Sequence, residues 1–287
     1  MLLEIAVGDA YGAGFEFASK DRLKELNNDL KQYYPHNLPG HLPPGSYTDD
    51  TQMSIAISEM ILNDTPWTVE NLAQKFVEVY KRDPRNGYSR KFQEILDKIT
   101  TGDELREKII ANSTACGSAM RAVPIGLLKY EQEIMEKAHI QASITHNTTD
   151  GIMCAKAVAL AAHYARTYQQ CSINSYLNWH LKSEIDWTGW EPGTYVTSAG
   201  MPVVRAAISA WKRNTKMSDI LKQCVAYEGD VDSVSAIALG IASLDKKVEK
   251  DLPAVLVDNL ENNGFGRDYL IELDRKLLTL PRLQDAG

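Results

Sequence analysis

Apolar residues recur at helical spacing along nearly the whole chain, while the alternation expected of a half-buried strand is almost absent. Met53, Ile57, Met60 and Ile61 line one face of a predicted helix. Leu72, Phe76 and Val79 line a second, after a Thr65-Pro66 start signal. Residues 152–164, 203–211 and 234–241 are rich in alanine. Small side chains let helices approach closely, so these stretches are expected to be the central helices of an all-α bundle. Residues 34–46 break the pattern with four prolines and two glycines, and shorter interruptions fall at 83–88 and 187–193. The first of these loops runs directly into an acidic cluster, and loops beside candidate ligands commonly shape a cleft.

At 287 residues the chain exceeds the usual domain size, yet no Pro/Ser/Gly-rich linker or charge block divides it. One domain spanning 1–287 is therefore expected. Hydrophobic residues at 44% and charged residues at 24% make a globular balance, which argues against extended disorder. A net charge of −7 opposes a surface that tracks phosphates, so small-molecule or protein substrates are expected and nucleic acid is not. Cys116, Cys154, Cys171 and Cys224 are unevenly spaced, which is neither a zinc pattern nor a disulfide framework and fits a reducing compartment. The opening Met1-Leu2-Leu3-Glu4 lacks a basic start, and no apolar stretch reaches the roughly 18 residues of a membrane span. A soluble cytoplasmic monomer without a membrane partner is the expectation.

Thr48-Asp49-Asp50-Thr51 and Gly229-Asp230-Val231-Asp232-Ser233 each place two carboxylates and a hydroxyl just before an apolar run. Clustered carboxylates with no neighbouring Lys or Arg repel one another unless a cation lies between them. Oxygen-only donors suit Mg²⁺, Mn²⁺ or Ca²⁺, whereas zinc prefers Cys and His, and neither residue occurs within either cluster. One divalent ion half neutralises four carboxylates and two neutralise them fully, so convergence of the clusters favours a two-ion site. Either cluster alone also reads as a helix N-terminus, because Asp and Thr cap helices and carboxylates complement the dipole. The pairing of the two points to a metal centre.

Four segments occur in order: Gly8-Asp9-Ala10-Tyr11-Gly12-Ala13-Gly14-Phe15-Glu16; Tyr47-Thr48-Asp49-Asp50-Thr51-Gln52; Cys116-Gly117-Ser118-Ala119-Met120-Arg121 with Pro124; and residues 229–233. Ile144-Thr145-His146-Asn147 makes a fifth, weaker one. In order and spacing the set resembles the ADP-ribosylglycohydrolase family, over about residues 4–278. The resemblance implies a compact orthogonal helix bundle, all-α, with a binuclear metal cleft. It implies two divalent cations, Mg²⁺ or Mn²⁺, and hydrolytic removal of ADP-ribose from a modified side chain. An ADP-ribosylated protein or another ADP-ribose-containing small molecule is the implied substrate. A non-catalytic ADP-ribose binder is the alternative, and retention of all six matched metal positions favours an enzyme.

Matched residue by residue, Thr48, Asp49 and Asp50 correspond to the first group of metal ligands, and Asp230, Asp232 and Ser233 to the second. Glu16 falls where several members place a carboxylate beside the metals; either Glu16 or a metal-bound Asp such as Asp49 is the implied base. Ser113, Thr114 and Gly117 fall in the loop implied to hold the diphosphate and distal ribose, and His146 matches a substrate-contacting His. Two positions depart from the pattern. Ser233 replaces the commoner Thr and keeps the hydroxyl, while Cys116 replaces an Asn and lacks the amide's donors and carbonyl.

The residues themselves carry further expectations. Asp9 is expected to cap or brace a helix. The run Gly12-Ala13-Gly14 lets backbone approach a ligand or another helix. Arg121 is expected in a buried ion pair with a bundle carboxylate, and His146 at the start of a helix. Trp187 and Trp190 either stack on adenine or cover a core edge.

Overall fold

The computed structural model describes residues 1–37, 42–167 and 170–283; positions 38–41 of the proline-rich loop lie outside the described residues. Among the described residues the chain forms α1 (Leu2–Gly12), α2 (Lys20–Glu25), α3 (Asp49–Leu62), α4 (Val69–Arg82), α5 (Arg90–Lys98), α6 (Gly102–Lys108) and α7 (Gly117–Met120). A 3₁₀ turn at Val123–Leu127 leads into α8 (Glu131–Ser143), α9 (Thr149–Thr167), α10 (Ile173–Leu181), α11 (Gly200–Arg213) and α12 (Met217–Val225). Then come α13 (Val231–Leu244), α14 (Ala254–Asp258) and α15 (Arg267–Leu278). Only isolated bridges stand in for strands among the described residues, and none of their helices is long and apolar enough to cross a membrane.

The three alanine-rich stretches fall within α9, α11 and α13, which pack on one another as the sequence predicts. Every residue from Val231 to Ala242 is buried, so α13 has no solvent face; α1, α9, α11 and α12 surround it. A helix enclosed on all sides is apolar all round. The same holds for α3, where Asp50 to Ile61 are all buried. The single face read from Met53, Ile57, Met60 and Ile61 therefore understates its burial, because α1, α4, α15 and the 3₁₀ turn close around it. Helix α4 does keep a polar side: Leu72, Ala73, Phe76, Val77, Val79 and Tyr80 face inward. It starts not at Thr65-Pro66 but after Thr68, whose hydroxyl accepts the N–H of Asn71 at 3.2 Å.

Two glycines on one face of α1 set its distance from α13. A Cβ at Gly8 would lie 2.6 Å from the carbonyl oxygen of Ser235, and one at Gly12 would lie 2.5 Å from Cα of Asp232. Only a residue without a side chain fits either position. Of the two partners read for the small-residue run, Gly12 meets the helix.

Candidate active site and metal centre

Both acidic clusters are helix N-termini, and both open on the same cavity. Thr48 precedes α3 and Asp230 precedes α13. Asp49, Asp50, Asp230, Asp232 and Ser233 line a cavity of about 590 Å³ together with Glu16, a volume typical of small-molecule sites. Glu16 arrives on the turn after α1. The N–H of Phe17 donates to the carbonyl of Gly229 at 2.9 Å, and the N–H of Asp230 donates to the carbonyl of Val196 at 3.0 Å. Gly229 adopts φ +93, and a Cβ there would sit 1.9 Å from the Val196 oxygen. These bonds pin the Glu16 turn beside the second cluster, so that ligand atoms of Glu16, Asp230 and Asp232 all lie within 4.8 Å of one another.

Asp9 braces the other half from beneath. Fully buried, it accepts the N–H groups and both hydroxyls of Thr48 and Thr51 at 2.6–3.0 Å. It thereby serves the start of α3 in place of Thr48, whose own hydroxyl makes no capping bond. Thr48 is buried, with Oγ1 3.4 Å from Asp50 Oδ2, and is not among the residues lining the cavity. Gly87, at φ +121, closes on Asp49, where a Cβ would lie 2.4 Å from Oδ1. Arg85 holds this loop down: it donates to the Tyr47 carbonyl at 2.9 Å and pairs with Asp83 and Glu261.

The carboxylates are held against their preference for water. Burial, followed by repulsion from Asp230, Asp49 and Asp9, pushes Glu16 up to about 9. Burial, followed by Asp9, pushes Asp49 up to about 8. Burial also raises Asp50, Asp230 and Asp232. Oδ1 of Asp50 and Oδ1 of Asp232 are buried without a hydrogen-bond partner. Orphaned, mutually repelling carboxylate oxygens at the floor of a cavity fit a hard divalent cation, which would satisfy the oxygens and cancel the repulsion together.

The 113–117 loop contributes to the same cavity. Ser113 and Gly117 line it, while Thr114 is exposed and lies outside the lining; its carbonyl accepts the N–H of Gly200 at 2.9 Å. Cys116 is buried, with Sγ 3.5 Å from Asp230 Oδ2 and 3.4 Å from Ser233 Oγ. Burial and the neighbouring Asp230 push its thiol well above the ordinary range. That environment opposes a nucleophilic thiolate.

His146 does not begin a helix. It lies between α8 and α9, with its N–H on the carbonyl of Ala142 at 2.7 Å. The capping run acts two residues later, where the Thr148 hydroxyl accepts the N–H of Gly151 at 3.1 Å. Arg121 also corrects its expectation. Its guanidinium meets no carboxylate; it donates to Gln141 Oε1 at 2.5 Å, to the Gln141 carbonyl at 3.0 Å and to Thr145 Oγ1 at 2.9 Å, and it stacks 4.5 Å from the Phe76 ring centre. Neutral acceptors and a ring face satisfy its fork without a partner charge. Because Thr145 Oγ1 accepts from Arg121, its own proton points to His146 Nδ1, 2.6 Å away. The ring proton therefore sits on Nε2, which is buried without a partner in a residue lining the cavity.

Neither Trp187 nor Trp190 lines the cavity. Trp187 is wholly buried, with Nε1 on Asn178 Oδ1 at 2.9 Å, so it belongs to the core. Residues not singled out in the sequence complete the lining, among them Tyr88, Arg90, Phe92, Ile110 and Ser198. The breaker segment at 83–88 was the one pointer to the first three. Ile110 and Ser198 carry no motif signal.

Residues 1–287 match the family model described as ADP-ribosylglycohydrolase. An uncharacterized protein of Archaeoglobus fulgidus is 25% identical over 300 residues, covering 97% of this chain and 95% of that protein. The ADP-ribosyl-[dinitrogen reductase] glycohydrolase of Rhodospirillum rubrum is 25% identical over 278 residues, covering 90% and 88%. ADP-ribosylhydrolase ARH3 of Xenopus tropicalis is 34% identical over 173 residues, which spans 57% of this chain and about half, 49%, of that protein. A solved structure described as an ADP-ribosylglycohydrolase-related protein complex shares the fold, with a TM-score of 0.72 at 22% identity over 96% of this chain and 94% of its own. Since the family match runs from the first residue to the last and takes in every segment that builds the cavity, the chain belongs to the ADP-ribosylglycohydrolase family.

Proposed function

We propose that this protein is a hydrolase dependent on two divalent cations, Mg²⁺ or Mn²⁺, that removes ADP-ribose from a modified protein side chain. The observation that carries the proposal is the convergence of Glu16, Asp49, Asp50, Asp230, Asp232 and Ser233 on one cavity with two orphaned carboxylate oxygens. The names of relatives support the reaction class: besides the two above, one is an ADP-ribosylarginine hydrolase of Pseudomonas putida.

Thr48, Asp49 and Asp50 would hold the cations from the start of α3, and Asp230, Asp232 and Ser233 from the start of α13. When bound, such ions polarise a water and anchor ribose hydroxyls. Glu16, beside Asp230 and Asp232, accepts the proton of the attacking water. Positive charge develops at the anomeric carbon as its bond to the acceptor breaks, and the surrounding carboxylates stabilise it. His146 offers its Nε2–H to a substrate oxygen. Gly117 keeps that approach open, since a Cβ there would stand 2.9 Å from His146 Cε1. Ser113 and Gly117 border the path of the diphosphate and distal ribose, and Thr114 acts through its backbone.

The test is a panel of proteins mono-ADP-ribosylated on arginine or serine, and small-molecule ADP-ribose conjugates, incubated with Mg²⁺ or Mn²⁺, with free ADP-ribose as the readout. Release from a protein acceptor, lost on chelation and in Asp232→Ala, supports the proposal. Release from small molecules alone moves the substrate class, and release from none of them rejects hydrolysis.

A further inference from the structure

We propose that Cys116 Sγ is a ligand within the metal centre, so that the site binds a thiophilic divalent cation as well as a hard one. The inference rests on the proposed role of the carboxylates as metal ligands. The acidic clusters suggest an all-oxygen cage, but the fold brings one sulfur into it: Cys116 lines the cavity and lies against Asp230 and Ser233. Donors sharing one cation, at about 2.1 Å for oxygen and about 2.3 Å for sulfur, stand roughly 3.1–3.6 Å apart between right and tetrahedral angles. The observed separations of 3.5 Å and 3.4 Å fall in that window. Two independent features point to an ion at the same place. Oδ1 of Asp232 and Oδ1 of Asp50 have no partner, and their residues are only 5% and 2% exposed.

A thiol is a weak hydrogen-bond donor, so its contact with Asp230 recovers little of the cost of burying both groups. Ligation recovers more. The S–H bond breaks, its electron pair goes to the cation, and the proton leaves to solvent. Soft donors select toward Zn²⁺, Cd²⁺ and Co²⁺ over Mg²⁺. The other three cysteines lie outside the cavity lining, so any sulfur signal at the site belongs to Cys116.

Co²⁺ is the probe, titrated into the full chain after chelation. Binding should bring a sulfur-to-cobalt charge-transfer absorption in the near ultraviolet that is absent from Cys116→Ser and Cys116→Ala. Calorimetric affinity for Cd²⁺ should fall at least about tenfold in both variants, the scale of loss when a metal site is perturbed by one residue. Retained Mn²⁺ binding shows that the variants are folded. Cadmium NMR on the wild type provides a readout independent of any variant, since a sulfur ligand moves the resonance downfield of all-oxygen sites. Co²⁺ binding that Asp232→Ala abolishes, but with no charge-transfer band and an all-oxygen cadmium shift, overturns the role of Cys116 while leaving the carboxylate site intact. Failure of the wild type to bind any of these ions removes the metal reading itself, and this inference with it.

Discussion

His146 presents one N–H to the cavity because Thr145 already engages its other nitrogen, and Arg121 fixes the direction of that hydroxyl. Burial, reinforced by the positive charge of Arg121, lowers the ring to about 3 from the usual 6.5, so it stays neutral. The unfolded chain takes up a proton near pH 6.5 that the folded ring refuses until about pH 3. Its contribution to stability is therefore complete above about pH 6.5 and is lost as pH falls between those values. Denaturant melts at about pH 7 and about pH 5 should show a smaller loss for His146→Ala than for the wild type, and nitrogen NMR should show an Nε2–H tautomer that does not titrate across that interval. The same substitution should weaken ADP-ribose binding by about 1–1.5 kcal/mol, the net value of one hydrogen bond. A ring that titrates near pH 6.5 would refute the tautomer argument. The motif singles out the residue, but the protonation state depends on Thr145 and on Arg121, which lies 25 positions upstream in sequence.

At the scale of elements, the site depends on how closely α1 meets α13. Gly12 packs on the backbone of Asp232, so its effect on the metal centre is mechanical. Gly12→Ala should cost about 1–3 kcal/mol, the usual price of overpacking. It should also weaken Mn²⁺ binding by pushing Asp232 away from Asp50 and Glu16, although the added methyl touches no cation. Gly264→Ala is the control: a Cβ there meets nothing, so stability should change by no more than about 0.5 kcal/mol. Chemical denaturation and calorimetry read both effects. If Gly12→Ala loses stability but keeps full metal affinity, the spacing of α1 and α13 does not set the site. The sequence shows the small residues and their allowance for close approach; their partner, separated by some two hundred residues, is visible only in the packing.

At the scale of the whole molecule, cations should act as a clamp between the two ends of the chain. Glu16, Asp49 and Asp50 come from the first quarter, and Asp230 and Asp232 from the last. A cation bound only by the folded state at about 100 times its Kd adds about 2.7 kcal/mol, which raises Tm by about 5–10 °C for a chain of this size. Thermal melts with and without Mg²⁺ or Mn²⁺ measure this directly, and titration calorimetry should give two ions per chain. In Asp232→Ala the rise should vanish, while the metal-free variant should be no less stable than the metal-free wild type because a repelling carboxylate has gone. A stoichiometry of one, or a Tm that saturating metal leaves unchanged, would count against the binuclear centre.

The sequence by itself determined the helical class, the Ala-rich centre of the bundle and the four ordered motifs that carry the family. These are properties of periodicity and of short segments, and they do not depend on what lies across the fold. It also marked each acidic cluster as both a helix start and a candidate ligand set, and the structure makes them both at once. Only the tertiary structure decided the rest. It joined Glu16 to Asp230 and Asp232 through a single Phe17–Gly229 bond, assigned Asp9 to bracing α3, and turned Arg121 toward Gln141 and Thr145. It put Trp187 in the core and Cys116 beside the carboxylates. The physical reason is common to all of these. Hydrogen bonding, desolvation and charge repulsion are set by neighbours a few ångströms away, and here those neighbours are brought together by packing from segments far apart along the chain.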